Sequence, residues 1–88
     1  MNVIFGIGKI ASKTIRFYNL DLKKTIAVDN DKTLWNSNWN NIQVKDPKLL
    51  LQISKKSKIY ICSTSVDQIS QQIKKIKKRN YEIIIPKF

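Results

Sequence analysis

The chain is short and strongly basic. Its 88 residues are enough for one small domain, and 17 Lys and Arg residues against 6 acids give it a net charge of +11. No segment approaches the roughly 20 consecutive apolar residues that a membrane-spanning helix requires, and the single cysteine excludes an internal disulfide. The apolar start also lacks the basic lead of a signal peptide, so the expected location is cytoplasmic.

The first predicted elements are a strand, a glycine turn and a helix. The apolar run Asn2–Phe5 predicts a buried strand, and the spacing of later apolar residues predicts a helix from Gly8 to about Asn19. Gly6 permits a turn that a side chain would strain, and Gly8 leaves room for a phosphate beside the main chain. The N–H groups at the start of the helix would face that phosphate.

A second apolar run, Thr25–Val28, predicts a strand that ends at Asp29, about 20 residues beyond the turn. A carboxylate at this place accepts hydrogen bonds from ribose hydroxyls and favours NAD over NADP. Ala11 takes the third glycine position of the dinucleotide-binding pattern. The alternative is that the glycines only shape a turn and that Asp29 caps or solvates a loop.

The stretch from Asp29 to Asn41 is rich in asparagine and is interpreted as irregular. Its two tryptophans, Trp35 and Trp39, are more typical of the rim of a small core than of a stacking platform for a ligand. A short third strand is predicted at Ile42–Val44.

Asp46 and Pro47 have the pattern of a helix start, with Asp46 as the cap and Pro47 in the first helical position. The predicted helix directs Leu49, Leu50 and Ile53 to the core and ends at Lys55-Lys56-Ser57. An apolar fourth strand, Lys58–Cys62, follows it.

Ser65 and Gln68 have the spacing of a capping box at the start of the last helix. Val66, Ile69, Ile73 and Ile76 form its apolar stripe, and Asn80 is expected to end it. Tyr81–Ile85 is the predicted fifth strand, before Pro86.

Alternating strands and helices predict an α/β fold, a Rossmann-like three-layer αβα domain with a mainly parallel five-stranded sheet in the order 3-2-1-4-5. Ligands of such sheets bind where the winding direction reverses, at the carboxyl ends of the strands. The residues predicted to contact a nucleotide there are Gly6, Gly8, Lys9, Ile10, Asp29, Asn30, Ser63 and Thr64.

The sequence offers no catalytic constellation. Cys62 lacks a base, because the chain contains no histidine, and it is interpreted as an apolar filler at the end of a buried strand. The acids are too dispersed for a paired-carboxylate site, and no ligand cluster predicts a metal.

The positive charge has two explanations. Lys74–Arg79 is a basic run suited to nucleic acid or an anionic surface. Lysine also shares adenine- and thymine-rich codons with the abundant Ile and Asn, and the aromatic residues are not interleaved with lysines as stacking platforms would be. A solvated basic face is therefore favoured over a nucleic-acid surface, which stays the less favoured alternative.

Several segments of the chain resemble a known family: Val3–Gly8, Ala27–Asp31, Leu34-Trp35, Ile42–Val44 with Pro47, Leu49 and Leu50, Ile59–Ser63 and Gln68-Ile69. Together they are similar to Rossmann-like modules of bacterial surface-polysaccharide biosynthesis proteins, for capsule and lipooligosaccharide. These modules stand at the front of sugar-modifying acyltransferases, FkbM-like methyltransferases and glycosyl- or phosphosugar-transferases. Asn36 replaces the glycine that follows the family's tryptophan.

The resemblance implies a nucleotide or nucleotide-sugar binding module whose chemistry lies in an attached transferase domain. It carries Gly6, Gly8, Asp29 and the Ser63 region over as nucleotide contacts, and it transfers no catalytic residue. The expected cofactor is NAD or a nucleotide-sugar, and the expected partner is a C-terminal catalytic domain or a second copy. A ligand-free interaction domain is the remaining alternative.

Overall fold

A computed structural model describes residues 1–54, 56–76 and 81–88, which form a single sheet flanked by helices. Its strands are β1 (Asn2–Phe5), β2 (Thr25–Val28), β3 (Asn38–Trp39), β4 (Ile42–Lys45), β5 (Lys58–Ile61) and β6 (Glu82–Ile84). Its helices are α1 (Lys9–Phe17) and α2 (Val66–Ile76), with short 3-10 helices at Leu22–Lys24, Lys32–Leu34 and Pro47–Leu51. Within these ranges no helix has the length and apolar character needed to cross a membrane.

The described strands form a six-stranded sheet in the order β3-β4-β2-β1-β5-β6. Neighbouring strands run parallel except for β3, which is antiparallel to β4. The prediction of an α/β fold with a mainly parallel sheet is confirmed. The predicted order 3-2-1-4-5 is wrong because it omits the edge strand β3, which lies inside the segment interpreted as irregular.

The edge strand β3 exists because two asparagines close a tight hairpin. Asn40 and Asn41 have φ angles of 50° and 63°, the left-handed conformation that both central residues of a type I′ hairpin turn require. Asparagine tolerates this conformation better than other residues with a side chain. The turn pairs Trp39 with Ile42.

Strand β1 is the centre of the molecule. Val3 and Ile4 are 0% exposed and Phe5 is 1% exposed, so both faces of the strand are covered. Val3 and Phe5 belong to one apolar cluster, whereas Ile4 belongs to a second one. This alternation explains why the strand reads as a continuous apolar run.

The helices supply the outer parts of these two clusters. Ala11 of α1 packs with Ile4, and Ile69 and Ile73 of α2 pack with Val3 and Phe5. Leu50, from the 3-10 helix Pro47–Leu51, joins the cluster on the α2 side. The hydroxyl group of Tyr81 donates a hydrogen bond to the Leu50 carbonyl and fixes that helix beside β6.

Several predicted helix bounds need correction. The segment after Asp46 forms a 3-10 helix that ends at Leu51 instead of a longer helix, although Asp46 does cap it by accepting the Lys48 N–H at 2.9 Å. Helix α1 ends at Phe17, before the predicted Asn19. Lys55 of the predicted end Lys55-Lys56-Ser57, the predicted end at Asn80 and residues 77–79 of the basic run lie outside the described residues.

Substitution of the two glycines of the turn is expected to lower the free energy of unfolding by different amounts. A Cβ at Gly6, with φ +95°, would lie 2.9 Å from the Cys62 carbonyl oxygen, whereas a Cβ at Gly8, with φ +137°, meets nothing within 4 Å. We expect Gly8→Ala to lower the free energy of unfolding by about 1–2 kcal/mol through backbone strain alone. Gly6→Ala should cost at least about 1 kcal/mol more because of the clash. Urea unfolding followed by circular dichroism measures both values, and equal losses would contradict the packing described.

Candidate functional site

A crevice opens at the carboxyl ends of β1 and β5. Strand β1 lies between β2 and β5, so the chain winds to opposite sides of it, and the crevice forms at this reversal. Its volume is about 370 Å³, at the lower end of the range for small-molecule sites. Apolar side chains line part of it, and the polar lining comes from Asp29, Asn30, Ser63, Ser65, Gln68 and Gln72.

The glycine turn forms one wall of the crevice. Gly6 donates its N–H to the Val28 carbonyl at 2.8 Å, which continues the pairing of β1 with β2 into the turn. On its other side Gly6 packs against the Cys62 carbonyl, where the missing side chain permits the close approach. Helix α1 then begins after Gly8 without a side-chain cap. The opening N–H groups of a helix in this state favour an anionic group.

The Asp29 carboxylate ties the glycine turn to the loop after β2. Its Oδ2 atom accepts the Ile7 N–H at 3.0 Å, and its Oδ1 atom accepts the Asp31 N–H at 2.9 Å. A carboxylate has about four acceptor positions, so Asp29 retains acceptor capacity for the hydroxyl groups of a ligand. Its negative charge disfavours a phosphate at the same position.

Two hydrogen bonds join the side chains of Asn30 and Gln72, which both line the crevice. The Asn30 Nδ2 atom donates to Gln72 Oε1 at 2.8 Å, and the Gln72 Nε2 atom donates to Asn30 Oδ1 at 2.7 Å. Both residues also border a second cavity of about 570 Å³, which is lined by Lys32, Trp35, Asp46, Pro47, Lys48 and Ile76 as well. Because the pair is exposed, its hydrogen bonds exchange readily with those of water or a ligand.

Trp35 is held in position at the second cavity. Its indole Nε1 atom donates to the Asp29 carbonyl at 2.7 Å. The ring is half-buried and presents a surface to the cavity, whereas Trp39 is the tryptophan that packs against the core. Asp31 fixes the intervening loop by accepting the Thr33 hydroxyl at 2.6 Å and the Thr33 N–H at 3.0 Å. These bonds lower the pKa of Asp31, with the hydroxyl contributing most.

The segment after β5 supplies the opposite wall. The Ser63 hydroxyl accepts the Ser65 N–H at 3.1 Å and so shapes the turn into α2. This is a different arrangement from the predicted capping box, in which the Ser65 hydroxyl would accept a backbone N–H.

Cys62 borders the crevice but is buried, with 5% of its surface exposed. Its Sγ atom donates to the Thr14 hydroxyl at 3.4 Å. Burial is the larger influence on this thiol and raises its pKa, while the bond to Thr14 acts in the opposite direction. A neutral, covered thiol is a poor nucleophile.

Half of the predicted contact residues lie in the crevice. Gly6, Asp29, Asn30 and Ser63 line it together. Gly8, Lys9, Ile10 and Thr64 lie nearby in the chain but do not line this cavity, and their contact with a ligand stays a prediction.

Sequence reasoning missed two glutamines of α2. Gln68 and Gln72 line the crevice and are four residues apart, so they share one side of the helix. They stand directly before the buried Ile69 and Ile73. A polar pair along the margin of an apolar stripe was the signal that could have identified them.

Another cavity, of about 360 Å³, lies beside the β3–β4 turn and is lined by Ser12, Ile15, Arg16, Leu22, Asn40 and Asn41. It is similar in volume to the crevice. It lies away from the glycine turn and from the strand ends of β1 and β5, so the crevice is the better candidate. Among the described residues, no group of His, Cys, Asp and Glu could hold a metal ion.

Comparisons with protein-family models, with curated proteins and with solved structures find no match to this chain.

The double role of Asp29 predicts a graded loss of stability. Asp29→Ala removes both acceptors, so we expect the free energy of unfolding to fall by about 2 kcal/mol. Asp29→Asn retains one acceptor and should lose about half as much. Asp67→Asn is the matched control, because Asp67 is exposed in the first turn of α2 and should contribute about 0.5 kcal/mol or less. Urea unfolding tests this, and equal effects of Asp29→Asn and Asp67→Asn would contradict it.

The environment of Cys62 predicts slow thiol chemistry. We expect an aromatic disulfide reagent to modify the folded chain at least about tenfold more slowly than the urea-unfolded chain, because the thiol is covered and neutral. The release of the coloured thiolate measures both rates. Similar rates in the two states would show that the thiol is accessible.

Proposed function

We propose that this chain is a nucleotide-binding module with a Rossmann-like, three-layer αβα fold, and that the crevice beside Gly6 and Asp29 is its ligand site. The observation that carries the proposal is the Asp29 carboxylate at the end of β2, bonded to the glycine turn at the end of β1. Both groups stand at the reversal of strand order, where ligands of parallel sheets bind.

The chemistry of the crevice suits ribose more than a highly charged group. Asp29 offers acceptor atoms, while Ser65 and Gln68 offer neutral donors and acceptors along the opposite side. Phosphate groups are better accommodated at the uncapped start of α1, where the Lys9 ammonium group adds positive charge. The carboxylate favours a free 2′-hydroxyl, so NAD is preferred over NADP.

The second cavity extends the proposal to a ligand with two parts. A dinucleotide or nucleotide-sugar whose ribose contacts Asp29 would reach both cavities, since each borders Asn30 and Gln72. Trp35 and Pro47 in the second cavity offer apolar surface for a base. A ligand that binds across both cavities would replace the hydrogen bonds between Asn30 and Gln72 with hydrogen bonds to itself.

The resemblance to surface-polysaccharide modules makes a nucleotide-sugar the alternative ligand. In that case the chain binds the activated sugar, and an attached transferase domain performs the chemistry. The buried, neutral Cys62 agrees with a site that binds and leaves the reaction to another domain.

Binding of NAD, NADP and UDP-glucose tests the proposal by calorimetry and by thermal unfolding. We expect at least one of them to bind saturably, with a Kd below about 1 mM, and to raise the unfolding temperature. NADP should bind at least about tenfold more weakly than NAD because its 2′-phosphate meets the Asp29 carboxylate. Absence of saturable binding by all three would contradict the proposed function.

A matched pair of variants locates the site. Gln68→Glu adds one negative charge to the crevice without changing side-chain size, and the first turn of α2 tolerates an acid. Gln71→Glu makes the same change at an exposed position of α2 outside the crevice lining. We expect the first variant to weaken binding of a phosphate-containing ligand by about tenfold and the second to leave it nearly unchanged. Equal effects would place the ligand elsewhere.

A further inference from the structure

Two exposed phenylalanines meet at the far end of α1 from the crevice. Phe17 closes α1 and is 61% exposed, and Phe88 is 59% exposed. Their ring centroids are 5.7 Å apart, at an interplanar angle of 81°. Large apolar side chains are seldom left this exposed in adjacent positions unless they contact something else.

Other aromatic rings support this pair from behind. Phe17 also contacts Tyr18 edge to face, at 5.1 Å between ring centroids, and Tyr18 contacts Tyr60 at 5.2 Å. Tyr60 belongs to β5 and is buried in the sheet. The exposed rings are therefore anchored to the core, which lowers the entropy that they lose on binding a partner.

Three cations lie close to the two phenylalanines in the sequence. Lys13 and Arg16 precede Phe17 by four and one positions of α1, and Lys87 adjoins Phe88; all three side chains are exposed. Arg16 also borders the cavity beside the β3–β4 turn. We call Lys13, Arg16, Phe17, Lys87 and Phe88 the α1 patch.

Few carboxylates are free to neutralise these cations. Four of the six acids accept the backbone N–H group two residues further along the chain: Asp21, Asp29, Asp31 and Asp46. Over the described part of the chain, no ion pair joins an acid to a lysine or arginine. Burial raises the pKa of Tyr60, and the charge of Glu82 adds to this increase.

We infer that the α1 patch binds single-stranded nucleic acid. Ring faces stack on unpaired bases of any sequence, and adjacent Lys and Arg side chains contact the phosphates. Charge complementarity favours this partner, because the patch adds cations to a chain with a net charge of +11. An anionic membrane surface is a weaker fit, because an interfacial helix buries a long apolar face, whereas the α1 patch offers two rings that meet edge to face.

The inference does not depend on the nucleotide crevice. Phe17 and the crevice are separated by the length of α1, which is 9 residues, or about 13 Å. Phe17 and Phe88 are also remote from each other in the sequence. The α1 patch therefore gives no sequence pattern of aromatic residues interleaved with lysines. We therefore expect a variant that loses ligand binding in the crevice to keep nucleic-acid binding at the α1 patch, and the reverse.

Fluorescence anisotropy with a labelled 15-residue oligothymidine tests the α1 patch at low and at moderate salt. We expect binding that weakens as salt rises. Phe17→Ala and Phe17→Leu should each weaken it by about tenfold, since leucine keeps the apolar surface and loses the ring. Arg16→Glu should weaken it by at least about tenfold and reduce the salt dependence. Lys74→Glu, on the exposed side of α2, is the matched control and should have a smaller effect than Arg16→Glu.

Vesicles of phosphatidylcholine with one quarter phosphatidylglycerol form the second arm of the experiment. Binding to vesicles that persists in Phe17→Leu, without binding to oligothymidine, would overturn the inference in favour of a membrane surface. Equal losses for Lys74→Glu and Arg16→Glu, or wild-type binding by Phe17→Leu, would also overturn it. Circular dichroism confirms that each variant is folded, which the exposure of the substituted side chains leads us to expect.

Discussion

The hydrogen bond from the Ile7 N–H to the Asp29 carboxylate joins the turn after β1 to the loop after β2. The carboxylate reaches this N–H because β1 and β2 pair in register up to Phe5 and Val28, so that both strands end at the same edge of the sheet. Gly6 permits the turn to lie close to the Cys62 carbonyl, and the Cys62 N–H donates to the Phe5 carbonyl at 2.8 Å, which joins the ends of β1 and β5. The crevice is therefore formed by three strand ends that are joined by the Asp29 carboxylate and by main-chain hydrogen bonds.

The carboxylates that order the loops do not form ion pairs with the described basic residues, so the surface stays positive. Asp21, Asp31 and Asp46 each accept the N–H group two residues further along the chain and start a 3-10 helix. These three acids are used for local structure, and within residues 1–54, 56–76 and 81–88 no ion pair joins an acid to a lysine or arginine. Under the two proposals, the net positive charge of the chain favours ligands that carry phosphate groups. Within the crevice itself, the Asp29 carboxylate favours hydroxyl groups over phosphate.

Local patterns in the sequence predicted most of the sheet and a part of the site. The five longer strands are apolar runs between turn residues, and burial on both sides of β1 makes that pattern strong. Strand β3 was not predicted, because two residues are too few to show the alternation of apolar and polar side chains that is typical of a strand. The pair Asn40-Asn41 is nevertheless a hairpin signal. The segment after Pro47 has a cap but too few residues for the costly first turns of an α-helix. Gln68 and Gln72 left only a weak signal, a polar pair along the margin of the apolar stripe of α2. The pairing of Phe17 with Phe88 depends on a tertiary contact that no local pattern encodes.

The central claim is that the crevice between Gly6, Asp29 and α2 is the ligand site. Two-dimensional ¹⁵N–¹H NMR during titration with NAD tests it most directly, because each backbone N–H reports its own surroundings. The account predicts saturable shifts centred on Gly6, Ile7, Asp29 and Gln68, with little change at Ser12, Asn40 and Asn41 around the other cavity. Shifts centred on that second group, or no saturable shifts up to millimolar NAD, would contradict it.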